Sequence, residues 1–113
     1  MKIYNKLVRD KIPEVCKLKG IICKTEIING DRLQLALVDK IKEEAEEVCD
    51  AINRKDREKI IEEIADLYEV IDAIVDFHKL DYDKIEQIRA EKEIEKGAFR
   101  KGLFLKSTEQ KIK

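Results

Sequence analysis

Tryptophan is absent from this 113-residue chain, proline and histidine occur once each, and aromatic residues make up only 5% of it. So thin an aromatic content, beside a heavy load of Ile, Leu, Val, Glu and Lys, argues against an all-β fold and for amphipathic helices with aliphatic packing. No apolar run approaches the roughly 20 residues needed to span a bilayer, and the opening Met1-Lys2-Ile3-Tyr4-Asn5-Lys6 lacks a signal-peptide core. The expectation is a cytoplasmic protein with no membrane partner. Cysteine is scarce and odd in number: Cys16, Cys23 and Cys49 make no CxxC pair, so neither a disulfide framework nor a zinc knuckle is expected, and all three are read as reduced. The single histidine, His78, follows no Glu-x-x-His motif, which disfavours a di-iron centre and suits a helix-end position. Repeats, low-complexity blocks and interdomain linkers are also lacking.

What is present folds. A hydrophobic fraction of 43% beside a charged fraction of 43% differs from the low hydrophobicity and high net charge of disordered chains. The length fits one domain, residues 1–113, with 106–113 read as a frayed tail. A short helix is expected over residues 10–19, with Asp10 as cap, Pro13 in the first turn and Gly20 at the end. The β-branched stretch 21–28 reads as a strand closed by Asn29-Gly30. Longer helices follow from Asp31 to about Ile52, from about Arg57 to His78, and from the cap Asp81 to Gly97. Residues 98–105 suggest a second strand, because a lone strand would leave backbone groups unpaired. The expected architecture is therefore mainly α: a four-helix bundle with a short β-ribbon of 21–28 and 98–105.

Charge is nearly balanced overall, at −1, but uneven along the chain. Residues 43–76 hold 13 acids and 4 bases, residues 1–20 hold 6 bases and 2 acids, and residues 77–113 hold 10 bases and 7 acids. Basic ends around an acidic centre suit plain solvation, nucleic-acid contact, or a metal carrying a phosphorylated ligand. Specific nucleic-acid binding is disfavoured, since aromatic interleaving and a helix-turn-helix pattern are both missing.

Helical rotation of about 100° per residue sorts the acids. In the second helix Leu37, Ile41, Ala45, Val48 and Ile52 mark the expected buried stripe, with Glu44 about 70° from its centre and Glu47 one turn on. Glu43, Glu46 and Asp50 point further away. The third helix is apolar around most of its circumference, and Glu58, Glu62, Glu69, Asp72 and Asp76 share one polar sector, read as the solvated face. Glu63 and Asp66 differ, because at i, i+3 they sit among Leu67, Val70, Ala73, Ile74 and Phe77. Two inward carboxylates need a positive partner, either Lys or Arg from a neighbouring element or a divalent cation. Paired acids on facing helices are a known all-oxygen metal site, which Mg²⁺ or Mn²⁺ prefers.

Glu43-Glu44-Ala45-Glu46-Glu47, then 15 residues, then Glu63-Ile64-Ala65-Asp66 resemble the EExxE and ExxD motifs of the MazG-like all-α nucleoside triphosphate pyrophosphohydrolases. Relatives of that group include dimeric dUTPases and phosphoribosyl-ATP pyrophosphohydrolase. The start, Lys6-Leu7-Val8-Arg9-Asp10-Lys11-Ile12-Pro13, and the late Arg89-Ala90-Glu91-Lys92 through Lys96-Gly97-Ala98-Phe99 are similar to a branch described as house-cleaning phosphatases for non-canonical nucleotides. The resemblance implies cleavage between the α- and β-phosphates, giving a nucleoside monophosphate and pyrophosphate. It implies Glu44, Glu47, Glu63 and Asp66 as Mg²⁺ ligands, with Mn²⁺ a substitute, and it adds Glu43, which helical rotation points to solvent.

Glu47 is the candidate for taking the proton of the attacking water. Arg9, Lys11, Lys92 and Lys96 are candidates for binding phosphate. Related proteins pair helices across subunits, so a homodimer or higher homo-oligomer is expected. The competing expectation is a non-catalytic helical interaction or regulatory module whose inward acids are neutralised by Lys and Arg.

Overall fold

In the computed structural model, residues 1–111 are described. They form four helices, α1 (Ile12–Leu18), α2 (Gly30–Asn53), α3 (Arg57–Phe77) and α4 (Tyr82–Lys96). The mainly helical class expected from composition is correct. The chain divides into two compact units, Met1–Leu80 and a second beginning at Asp81. No helix among the described residues is long and apolar enough to cross a membrane.

Local chemistry sets most helix boundaries. The Asp56 side chain accepts a hydrogen bond from the Lys59 N–H at 3.1 Å and starts α3, while Asp81 accepts one from the Asp83 N–H at 2.9 Å and starts α4. Gly97, at φ +84°, ends α4 in a conformation that glycine adopts without penalty. The first helix departs from expectation. It begins after Lys11 with no side-chain cap, so Asp10 lies outside it, and Pro13 occupies the first turn where its missing N–H is harmless.

The reversal between α2 and α3 matters most. Lys55 takes up φ +57°, and Asp56 N–H bonds back to the Ala51 carbonyl at 3.2 Å while Arg54 N–H reaches Asp50 at 3.0 Å. These bonds satisfy the last carbonyls of α2 and turn the chain sharply, so that α3 packs antiparallel along α2. An antiparallel hairpin of this kind brings positions roughly equidistant from Lys55 to similar levels. Leu33 and Phe77 stand 22 residues either side of it, Leu37 and Ala73 18, Glu44 and Asp66 11, and Glu47 and Glu63 8.

This register corrects the expected buried stripe. Leu37 is buried as expected, but Ile41 and Val48 are half-buried, Ala45 and Ile52 are exposed, and Ala51 is buried instead. The residues of α2 that lose solvent are 33, 36, 37, 40, 41, 43, 44, 48 and 51, so Glu44 is among them while Glu47 stays exposed. On α3, Val70 and Val75 are buried, whereas Ile61, Ile64, Tyr68 and Ile71 form an exposed stripe. Ile61 and Tyr68 keep 62% and 66% of their surface in solvent.

The β-ribbon is not formed. Among the described residues there is no strand, and no backbone hydrogen bond joins 21–28 to 98–105. Ile22, Ile27, Phe99, Leu103 and Phe104 lie exposed, so neither segment has the apolar cover that would hold it in a sheet. Residues 106–111 carry no helix or strand, and the remainder of the expected tail, 112–113, lies outside the described residues.

The cysteine expectation is also corrected. Cys16 and Cys23 are joined as a disulfide, their Cα atoms 6.5 Å apart, while Cys49 is free and exposed. The turn that ends α1, with Ile21 N–H on the Cys16 carbonyl at 2.8 Å, returns the chain within bridging reach. Spacing alone does not reveal such a turn.

Asp56→Ala removes the acceptor that starts α3 and is expected to lower stability by about 1 kcal/mol, with Asp56→Asn retaining most of it. Urea denaturation followed by circular dichroism reads the difference, and an unchanged midpoint for the alanine variant would show that the cap contributes nothing.

Candidate metal centre

Three of the four acids in the two i, i+3 pairs come together across the α2–α3 hairpin. One carboxylate oxygen from each of Glu44, Glu63 and Asp66 lies within 4.8 Å of the others, and all three residues are half-buried. Octahedral coordination at about 2.1 Å places opposite oxygens about 4 Å apart, so side-chain torsion alone can close these three around a small divalent ion. The donors are all hard oxygens, which fits Mg²⁺ or Mn²⁺ and not a thiophilic metal. Glu47 is exposed and outside this trio, but near enough for its charge to act on Glu63.

The cations nearby are already engaged. Arg9 Nη2 donates to Asp66 Oδ1 at 2.7 Å, and Lys40 Nζ lies 3.5 Å from Glu44 and donates to Glu43 at 3.1 Å. Lys6 reaches Glu43 at 3.3 Å. Glu43 therefore neither points freely to solvent nor joins the trio. Burial tends to raise its pKa, but the hydrogen bonds and charges of Lys40 and Lys6 together outweigh that and hold it below its ordinary value.

Glu63 has the opposite balance. No ion pair to it is formed among the described residues. Its pKa is raised by desolvation first, then by repulsion from Asp66, Glu47 and Glu44, which Lys59 only partly relieves. Negative charge is thus least compensated where a cation would touch three carboxylates at once.

A cleft of about 660 Å³ opens beside the trio and includes Glu44 and Asp66 in its walls. Its apolar sides come from Leu33 and Leu37 of α2, Val70, Ala73 and Phe77 of α3, and Leu7 and Val8 of the N-terminal segment. That segment is held down by the Lys6 and Arg9 ion pairs. Phe77 also meets the His78 ring edge-on at 4.9 Å, and His78 closes α3 as expected of a helix-end residue. Glu69, Asp72 and Asp76 are exposed, as expected of the polar face of α3, and also line the open cleft.

The candidate site residues thus fall into three groups. Glu44, Glu63 and Asp66 come together, Glu47 stands beside them, and Arg9 binds a carboxylate of the trio. Lys11 is the residue before α1, and Lys92 and Lys96 lie on α4 in the second unit. Lys40 and the apolar cleft residues were missed from the sequence. Counting equal distances either side of Lys55 would have found Leu33 with Phe77 and Leu37 with Ala73, but only once the hairpin was known.

A family model described as phosphoribosyl-ATP pyrophosphohydrolase matches residues 24–92, more than half of the chain, with α2, α3 and all four acids inside the match. No curated protein and no solved structure matches the chain.

The charge balance at Glu63 yields a stability test. A carboxyl group whose folded pKa is raised contributes stability below its ordinary value of 4.5, and that contribution is lost as pH rises through the folded value. Glu63→Gln removes the penalty, so the metal-free variant should melt above the native chain, with a gap that widens as pH rises past 4.5. Thermal melts across pH check this, and a gap independent of pH would show that Glu63 bears no repulsion.

Proposed function

Because this chain belongs to the phosphoribosyl-ATP pyrophosphohydrolase family, a MazG-like family of pyrophosphohydrolases, we propose that it hydrolyses a nucleoside triphosphate between the α- and β-phosphates. The products are a nucleoside monophosphate and pyrophosphate, and the substrate is a non-canonical nucleotide, as in the house-cleaning branch that the Lys6 to Pro13 stretch resembles. The observation that carries the proposal is the convergence of Glu44, Glu63 and Asp66 inside the segment that matches the family.

In this reading Glu44, Glu63 and Asp66 hold Mg²⁺, with Glu47 completing the set and Glu43 contributing through its contact with Lys40. A divalent ion there supplies neutralisation of phosphate charge and acidification of the attacking water. Glu47, the most solvent-accessible acid of the group, takes the water's proton as its oxygen attacks the α-phosphorus in line. The bond to the α–β bridging oxygen breaks, and its electron pair leaves with pyrophosphate. Arg9 exchanges its bond with Asp66 for phosphate oxygens and Lys11 adds positive charge to the triphosphate, while Lys92 and Lys96 are candidates for phosphate binding on the sequence alone.

The protein works in the cytoplasm as a homodimer or higher homo-oligomer. Support for assembly comes from the stripe Ile61, Ile64, Tyr68 and Ile71, which one copy leaves in water along three turns of α3. Sedimentation should give at least a dimer that Ile64→Glu dissociates; a native monomer would refute assembly.

A second reading rests on the same ion pairs. Arg9 on Asp66 and Lys40 on Glu44 are what a non-catalytic interaction module with neutralised acids would have. Pyrophosphate release from a panel of canonical and altered nucleoside triphosphates separates the two. The enzyme should require Mg²⁺, accept Mn²⁺, stop on chelation, and lose about a hundredfold or more on Glu63→Gln. The module predicts no release and a melting temperature that Mg²⁺ leaves unchanged.

A further inference from the structure

Among the described residues the only charged side chains that are half-buried are Lys40, Glu43, Glu44, Glu63 and Asp66, and every other acid and base is exposed. Three of the five are the acid trio, and the remaining two, Lys40 and Glu43, are bonded to each other. Lys40 is therefore the one base that the fold draws into this region, with 18% of its side-chain surface left in water.

A lysine placed there endangers a metal ligand. Lys40 Nζ lies 3.5 Å from Glu44, close enough for its charge to compete with a cation for that carboxylate. Its shorter contact, however, is to the preceding residue: Lys40 donates to Glu43 Oε2 at 3.1 Å, while Lys6 donates to Glu43 Oε1 at 3.3 Å. Each oxygen of Glu43 thus has a lysine of its own. For helix stability alone the order is the less favourable one, since Lys40 precedes the acids it meets at i, i+3 and i, i+4.

We infer that Glu43 is a positioning residue: it holds the Lys40 ammonium off Glu44 and so keeps that carboxylate free for a divalent cation. This inference rests on the metal role proposed above for Glu44, Glu63 and Asp66, and it gives Glu43 a task other than ligation. Without the Glu43 acceptor, Glu44 is the carboxylate left within reach of Lys40. An ammonium bonded there must be displaced before a metal ion binds. The adjacent acids Glu43 and Glu44 therefore divide the work, one engaging the protein's own cation and the other left for the metal.

The test is Mn²⁺ binding without nucleotide, read by electron paramagnetic resonance of the free ion, for the native chain, Glu43→Gln, Lys40→Met and the double variant. Both substitutions nearly preserve side-chain shape, and the readout is independent of turnover. Glu43→Gln should weaken Mn²⁺ binding about tenfold, the lower end of what loss of a residue supporting a metal ligand costs. Lys40→Met should bind at least as tightly as the native chain. In that background Glu43→Gln should cost less than about threefold, because no ammonium remains to be held. An equal loss in both backgrounds would make Glu43 a ligand or a mere source of charge and overturn the inference. So would Glu43→Gln binding like the native chain, or Lys40→Met binding more weakly than it. Absence of Mn²⁺ binding by the native chain would instead remove the metal centre itself, and this role with it.

Discussion

The register of one helical hairpin governs the rest of this structure. With Lys55 at the centre of the reversal, Glu44 is brought to Glu63 and Asp66, and Glu47 comes near enough for its charge to act on Glu63, although these acids are remote in sequence. The same register aligns Leu33 with Phe77 and Leu37 with Ala73, which makes the cleft continuous with the acid trio. A change of one residue in the connection would rotate α3 by about 100° relative to these partners. The site and the cleft would be lost together.

Concentrating carboxylates in a seam opposes folding, and the chain answers with basic side chains from two directions. Lys40 comes from within α2, and Lys6 and Arg9 come from the N-terminal segment. Compensation is incomplete at Glu63, whose pKa is raised first by desolvation and then by repulsion from Asp66, Glu47 and Glu44. The N-terminal segment therefore has two roles, neutralising Asp66 and supplying Leu7 and Val8 to the cleft wall.

Burial is distributed oddly for a chain so rich in aliphatic residues. Only Leu37, Ala51, Val70 and Val75 are buried among the described residues, while the outer face of α3 keeps four large side chains in water. The seam that would normally hold the core is given over partly to acids and an open cleft. Apolar surface displaced from the seam is left on the outside of the hairpin, the physical reason for expecting a second copy to cover it.

Helix identity was legible because it depends on local chemistry. The caps at Asp56 and Asp81, the stop at Gly97 and the 3.6-residue apolar period lie within a few residues of the structure they specify. The inward placement of Glu63 and Asp66 was legible too, as charged residues within an apolar sector. Three features were not. The strand at 21–28 failed because β structure needs a partner that sequence does not supply, and the Cys16–Cys23 pairing depends on the turn after α1. Likewise, the buried stripe of α2 was misassigned because Ala45 and Ile52 are apolar yet face away from α3. By itself, then, the sequence determined which segments are helical and which acids are chemically out of place, since both follow from neighbours in the chain. Only the tertiary structure decided which acids meet, which cations they meet, and where a cleft opens beside them, because these depend on the antiparallel register of α2 and α3 and on where the N-terminal segment lies across it.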